Sequence, residues 1–133
     1  MMNIVNYEFY FADKIHNYSD VYTFCFKSEQ PLPYTAGQYI KLELPSFGSR
    51  YFSLASAPCE SMLMVTTHIV EFSEYKLALM NLMLGDKVMI QVPPIKPFPL
   101  HSNSQAIFIA QGVGIAPFRS ILRDLAVTKS ASL

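Results

Sequence analysis

Apolar and polar residues alternate with a period of two through most of the chain before about residue 94, and that rhythm then stops. The alternation is plain in VYTFCF (21–26), QYIKLEL (38–44), MLMVTTHIV (62–70) and KVMIQV (87–92). A period of two turns every second side chain to the same face of a strand, so each segment has one face suited to a core and one to water. Such half-buried strands belong in antiparallel sheets. Turn chemistry separates them: Pro31-Leu32-Pro33, Ala36-Gly37, Pro45-Ser46-Phe47-Gly48, Ala57-Pro58 and Gly85-Asp86. Short strands at this spacing predict a sandwich or a closed barrel.

Residues 73–84 break the rhythm with a run of good helix formers, and the pattern predicts a helix capped by Ser73 and stopped by Gly85. The prolines of Pro93-Pro94-Ile95-Lys96-Pro97-Phe98-Pro99 exclude helix interior and central strand, which leaves an ordered loop and linker. A different grammar follows. Ala106-Ile107-Phe108-Ile109-Ala110 is a continuous apolar run suited to a parallel strand buried on both faces. Gln111-Gly112-Val113-Gly114 then predicts a tight turn, with Pro117 in the first turn of a helix through Arg123. Strand, glycine turn and helix are the opening of a dinucleotide fold, and too little sequence follows to complete a βαβ crossover.

Composition narrows the partners. The chain has 133 residues, 51% of them hydrophobic, which suffices for a core without disulfide or metal staples. Its ten basic and ten acidic residues are scattered and cancel, so nothing marks a nucleic-acid or anionic-membrane surface. Cys25 and Cys59 have neither paired secreted spacing nor metal-site spacing and read as free thiols. The first residues, MMNIVNYEFYFADK, do not read as a leader and no apolar run has bilayer length, so the expectation is a cytoplasmic protein. His68 has no partner at motif spacing and takes no proton-transfer role; His16 and His101 read as surface residues.

Three stretches in a fixed order carry a resemblance: Arg50-Tyr51-Phe52-Ser53-Leu54-Ala55-Ser56-Ala57-Pro58, then Ser73-Glu74-Tyr75-Lys76, then Ala110-Gln111-Gly112-Val113-Gly114-Ile115-Ala116-Pro117-Phe118-Arg119-Ser120. Together they resemble the ferredoxin-NADP reductase superfamily. Its flavin motif is Arg-any-Tyr-Ser, its diphosphate segment precedes a short helix, and its nucleotide domain opens with Gly-any-Gly-Ile-Thr/Ala-Pro. Tyr34-Thr35-Ala36-Gly37-Gln38-Tyr39 is similar to the strand before the flavin motif. Phe52 stands where the family usually has tyrosine, and Glu71-Phe72 where it often has glycines.

The resemblance implies a mainly β protein: a six-stranded antiparallel Greek-key barrel with one capping helix over residues 1–100, then the first strand and helix of a truncated nucleotide-binding domain over 101–133. It implies FAD as cofactor, with NADH or NADPH used by the full-length parent and an electron-acceptor protein as a possible partner. Phe52 would offer a flat face to the isoalloxazine, and Tyr51 beside it in the motif would also belong to the cofactor-binding residues. Ser53 would address the flavin N5 edge and serve as the catalytic residue. Arg50, on the same side of its strand as Phe52, would hold the diphosphate together with Ser73. His68, Ile69 and Val70 would contribute main chain, while Gly112, Gly114 and Pro117 would form the nucleotide turn. Taken alone, Arg50 reads as a rim charge and Phe52 as core, while Ser73 could serve only as a helix cap and the glycine pair only as a turn. The alternatives are a flavin-free barrel that serves as an interaction module and an electron-transfer subunit with iron-sulfur ligands further along the gene.

Overall fold

In the computed structural model, which describes residues 4–94 and 105–131, the alternating segments form one antiparallel sheet. Its strands are β1 (Asn6–Tyr18), β2 (Val21–Lys27), β3 (Tyr39–Leu44), β4 (Gly48–Ser53), β5 (Leu63–His68) and β6 (Lys87–Gln91), in the spatial order β4-β3-β6-β1-β2-β5. β6 returns between β1 and β3, which gives the sheet its Greek-key character. The sheet curls but does not close. Its outer strands β4 and β5 meet only around an isolated bridge between Leu54 and Val65 and the Ala55 amide bond to the Met64 carbonyl, 2.9 Å. The expected barrel is therefore an open one, because beyond Ser53 the chain leaves the strand path and turns into the 55–60 loop.

β1 was not among the segments read as strands, yet it is the longest and pairs with both β2 and β6. The inward faces supply Phe9, Phe24, Phe26, Ile40, Leu42, Val65, Val88 and Ile90, all buried in one cluster. Each such side chain contributes about 1.5–3 kcal/mol when removed from water.

Helix α1 (Glu74–Met80) covers one end of this core with Tyr75 and Leu79, and the Ser73 hydroxyl caps it by accepting from the Lys76 amide at 3.3 Å. It ends at Met80, short of the expected stop at Gly85. Lys14 of β1 donates its ammonium to the Met80 carbonyl at 2.8 Å, a cation where the helix dipole favours one. The chain then unwinds through Asn81, and Gly85, at φ +88°, serves the turn into β6 instead.

The last described segment is a 3-10 turn (Gly112–Ile115) leading into helix α2 (Ala116–Ala131), longer than the sequence predicts, with Pro117 in its first turn. Residues 106–110 are not a strand. Ile107 and Ile109 are 89% and 86% exposed, because no described segment lies alongside to accept a parallel ladder. Most of the proline linker, the expected boundary at 100/101 and His101 lie outside the described residues. Both thiols are free, Cys25 buried and Cys59 exposed. Among the described residues no helix is long and apolar enough to cross a membrane, and no group of three metal-ligating side chains occurs.

Helix α2 is anchored by charge as well as by packing. The Arg119 guanidinium grips Glu60 with two bonds of 2.8 and 3.0 Å, and the same carboxylate accepts from the Ala57 amide at 2.8 Å. These donors hold the Glu60 carboxyl below its ordinary range, against the opposing effect of partial burial. A depressed carboxyl adds stability above its unfolded pKa that disappears as pH falls through the folded one. Acid titration of the wild type should therefore loosen α2 at a pH below the normal glutamate range. In Glu60→Gln that step should be absent from helix-specific hydrogen exchange.

Candidate functional site

The sequence motif on β4 and the start of α1 converge at one end of the sheet. Arg50 and Phe52 lie on the same face of β4, as alternation requires, and both meet Tyr75. The Arg50 guanidinium stands 5.2 Å from the Tyr75 ring centroid, and the Phe52 ring stacks on Tyr75 at 6.1 Å with 26° between planes. Tyr75 is itself locked, since its hydroxyl donates to the Leu42 carbonyl at 2.8 Å from a site that is 2% exposed. Lys76 completes the group: its ammonium is 5.0 Å above the Phe52 ring and donates to the Thr67 hydroxyl.

Two cations thus share one aromatic platform. Neither Arg50 nor Lys76 is in an ion pair among the described residues. Burial first, and then the neighbouring Arg50 charge, lower the Lys76 pKa. Arg50 spends one donor on the Ser49 carbonyl at 2.7 Å and is otherwise exposed. Sequence reading assigned no role to Thr67, nor to Tyr75 and Lys76 although both lie in a stretch that carries the resemblance. The sign that marks Lys76 is a lysine in the first turn of a helix, where the dipole disfavours a cation unless an anion compensates.

The remaining residues fall into distinguishable places. Ser73 is the α1 cap, and Val70 accepts the Ser73 amide at 3.1 Å. Ile69 packs at the margin of the core and donates its amide to the Asp20 carbonyl at 2.8 Å. His68 ends β5 with Nδ1 3.1 Å from an Asp20 carboxylate oxygen. Its Nε2 faces Gly112, 4.0 Å from where a Cβ on that residue would stand. β5 therefore links the two halves of the expected site, since Thr67 meets Lys76 while His68 meets Gly112. Gly114 is exposed, with its amide donating to Gln111 at 3.0 Å, and Pro117 is buried. Tyr51 is 64% exposed on the opposite face from Phe52, edge-on to Tyr39 at 5.9 Å. There it lines a groove of about 870 Å³ with Tyr34, Gln38, Lys41 and Val92. Ser53, half-buried, ends β4 opposite Tyr39.

An open six-stranded antiparallel sheet with a capping helix, followed by a glycine turn and a second helix, is a fold that this chain shares with reductases of known structure. No family model matches the chain. It is 33% identical over 102 residues to the reductase component 1 of terephthalate 1,2-dioxygenase from Comamonas sp., covering 72% of this chain and 29% of that protein. It is 34% identical over 103 residues to the reductase component DmpP of phenol 2-monooxygenase from Pseudomonas sp. (strain CF600), covering 74% and 29%. Among solved structures, phthalate dioxygenase reductase superposes with a TM-score of 0.77 at 22% identity, over 92% of this chain and 40% of that one. The chain belongs to the ferredoxin-NADP reductase-like flavoprotein superfamily. It spans less than a third of the length of these curated relatives.

Proposed function

We propose that this chain is the FAD-holding part of an NAD(P)H-dependent reductase that delivers electrons to an acceptor protein in the cytoplasm. The observation that carries the reading is the pair of unpaired cations, Arg50 and Lys76, on the Phe52–Tyr75 platform. A dianionic diphosphate supplies the negative charge this cluster lacks, and a flat ring system suits the aromatic surface beside it. The residues present therefore fit FAD. When bound, the flavin supplies hydride acceptance from a nicotinamide and onward electron transfer, and the protein supplies position and charge.

In this reading Arg50 forks onto the diphosphate, and Lys76 leaves the Phe52 ring to join it. The departure costs little, because burial and the neighbouring arginine already disfavour the lysine charge where it stands. It also clears the face of Phe52 for stacking. The Ser73 hydroxyl stays engaged as a helix cap, and α1, only seven residues long, adds a modest dipole. Ser53 addresses the reacting edge of the ring, and the His68–Val70 main chain follows the ribityl. Residues 1–100 form the flavin domain in this division, and 101–133 open the nucleotide domain with Gly112, Gly114 and Pro117 at its turn. The acceptor belongs to the class that the relatives' names indicate, an oxygenase component.

Lys76→Met tests the least expected part of the site. Removing this desolvated cation should raise the thermal midpoint of the flavin-free chain while weakening FAD about tenfold, or about 1.4 kcal/mol. An unchanged FAD affinity would remove Lys76 from the diphosphate site.

A further inference from the structure

We infer that Ser120 and Arg119 are positioning residues which fix the nucleotide-side turn against the flavin-side sheet, so that the two form one body with no hinge between them. The functional meaning of this rests on the reading above.

Ser120 and Ser56 are both fully buried. The Ser120 hydroxyl accepts from the Gly37 amide at 3.1 Å and donates its one proton to the Ser56 carbonyl at 2.7 Å. That carbonyl also accepts from the Tyr34 hydroxyl at 3.1 Å, and the Ser56 hydroxyl accepts from the Met64 amide at 3.0 Å. Among the described residues no buried side-chain polar atom lacks a partner. A hydroxyl with a single proton satisfies this arrangement in one register only. Sliding α2 by about an ångström would break both Ser120 bonds where water cannot replace them.

The seam is closely packed at Gly37, where an L side chain would also strain the backbone. Gly37 sits at φ +85°, and a Cβ there would lie 2.8 Å from Ile121 Cδ1 on α2. The preceding helix residue, Arg119, adds a bond to the Ala55 carbonyl at 2.7 Å beside its fork on Glu60. Ala55 and Ser56 follow Ser53 directly after Leu54. The segment that leaves the flavin motif is thus the segment that consecutive residues of α2 seize. Gly112, seven residues before Arg119 at the start of the 3-10 turn that leads into α2, is thereby held near His68. Fixing that approach would fix how far a flavin held on the sheet lies from a nucleotide at the glycine turn, and proximity and orientation of the reacting groups govern the rate of transfer between them.

Residue-resolved hydrogen exchange of the full 133-residue chain tests this, with His68 ring resonances followed by NMR. In the wild type the Gly37 amide and residues 118–124 should be protected together with the sheet. Ser120→Ala should speed exchange at Gly37 and in the first turns of α2 by about tenfold or more, shift the His68 signals, and leave β2 and β6 unchanged. Arg119→Lys, which keeps the charge but loses the fork, should give an intermediate change. The inference is overturned if α2 exchanges freely in the wild type, if neither variant alters it, or if protection falls equally across the sheet. FAD titration of the same samples keeps the two ideas separate. Failure to bind FAD would sink the proposed function, while the exchange pattern would still decide the seam.

Discussion

Arg50→Ala is expected to raise the FAD dissociation constant about ten- to a hundredfold, the equivalent of about 1.5–3 kcal/mol for charge-assisted hydrogen bonds. The side chain is exposed, has no carboxylate partner among the described residues and rests its guanidinium on Tyr75, so its removal leaves the core intact. Its remaining donors are free to turn toward a phosphate. FMN has a single phosphate and no adenylate beyond it, so its affinity should hardly move. Fluorescence titration with both flavins checks the result, alongside circular dichroism to confirm an unchanged fold. Equal weakening of the two ligands would show that Arg50 supports the flavin ring or the strand and not the diphosphate.

Tyr75→Ala should be the most damaging single change at the site, lowering unfolding stability by about 3–5 kcal/mol. The ring is 2% exposed, packs on Phe52 and carries Arg50, and its hydroxyl ties α1 to β3 through Leu42. Tyr75→Phe keeps the platform and loses only that bond, so it should cost about 1 kcal/mol. Burial pushes the phenol pKa well up. A group raised in the folded state stabilises below its unfolded pKa, so the tyrosine's advantage over phenylalanine should shrink as pH rises past about 10. Urea denaturation of the three proteins at neutral and alkaline pH measures both effects. If Tyr75→Ala unfolds at the wild-type midpoint, the platform is not part of the core.

Much of the fold was legible because period-two alternation survives in β3, β5 and β6, where one face is packed more tightly than the other, while β2 is buried on both faces through Thr23–Phe26. β1 was harder to see. Its buried Phe9 and Phe11 alternate properly, but register shifts near Asp13 and Tyr18 break the pattern over the rest of the strand. The length of α1 was misread for another reason, since Leu82, Met83 and Leu84 are good helix formers, while the Met80 carbonyl is taken by Lys14, distant in sequence, and the Met83 amide donates to the Asp86 carboxylate. The buried strand expected at 106–110 failed because apolarity predicts burial only when another element is there to pack on it.

At the site, the motif placed Arg50 and Phe52 together and Ser73 at the cap, both of which the geometry reproduces. It could not show that Tyr75 and Lys76 complete the cluster, since their convergence with β4 depends on how α1 sits on the sheet. Nor could it show that Tyr51 faces away, toward a separate groove. The polar seam on α2 was equally hidden. Ser56 and Ser120 are unremarkable serines until the fold buries both.

Titration of the purified chain with FAD and with FMN, followed by quenching of flavin fluorescence, tests the central claim most directly. A diphosphate site built on Arg50 and Lys76 predicts that FAD binds at least about tenfold more tightly than FMN, each tenfold being about 1.4 kcal/mol. Equal affinity for the two flavins, or no binding of either, would contradict it.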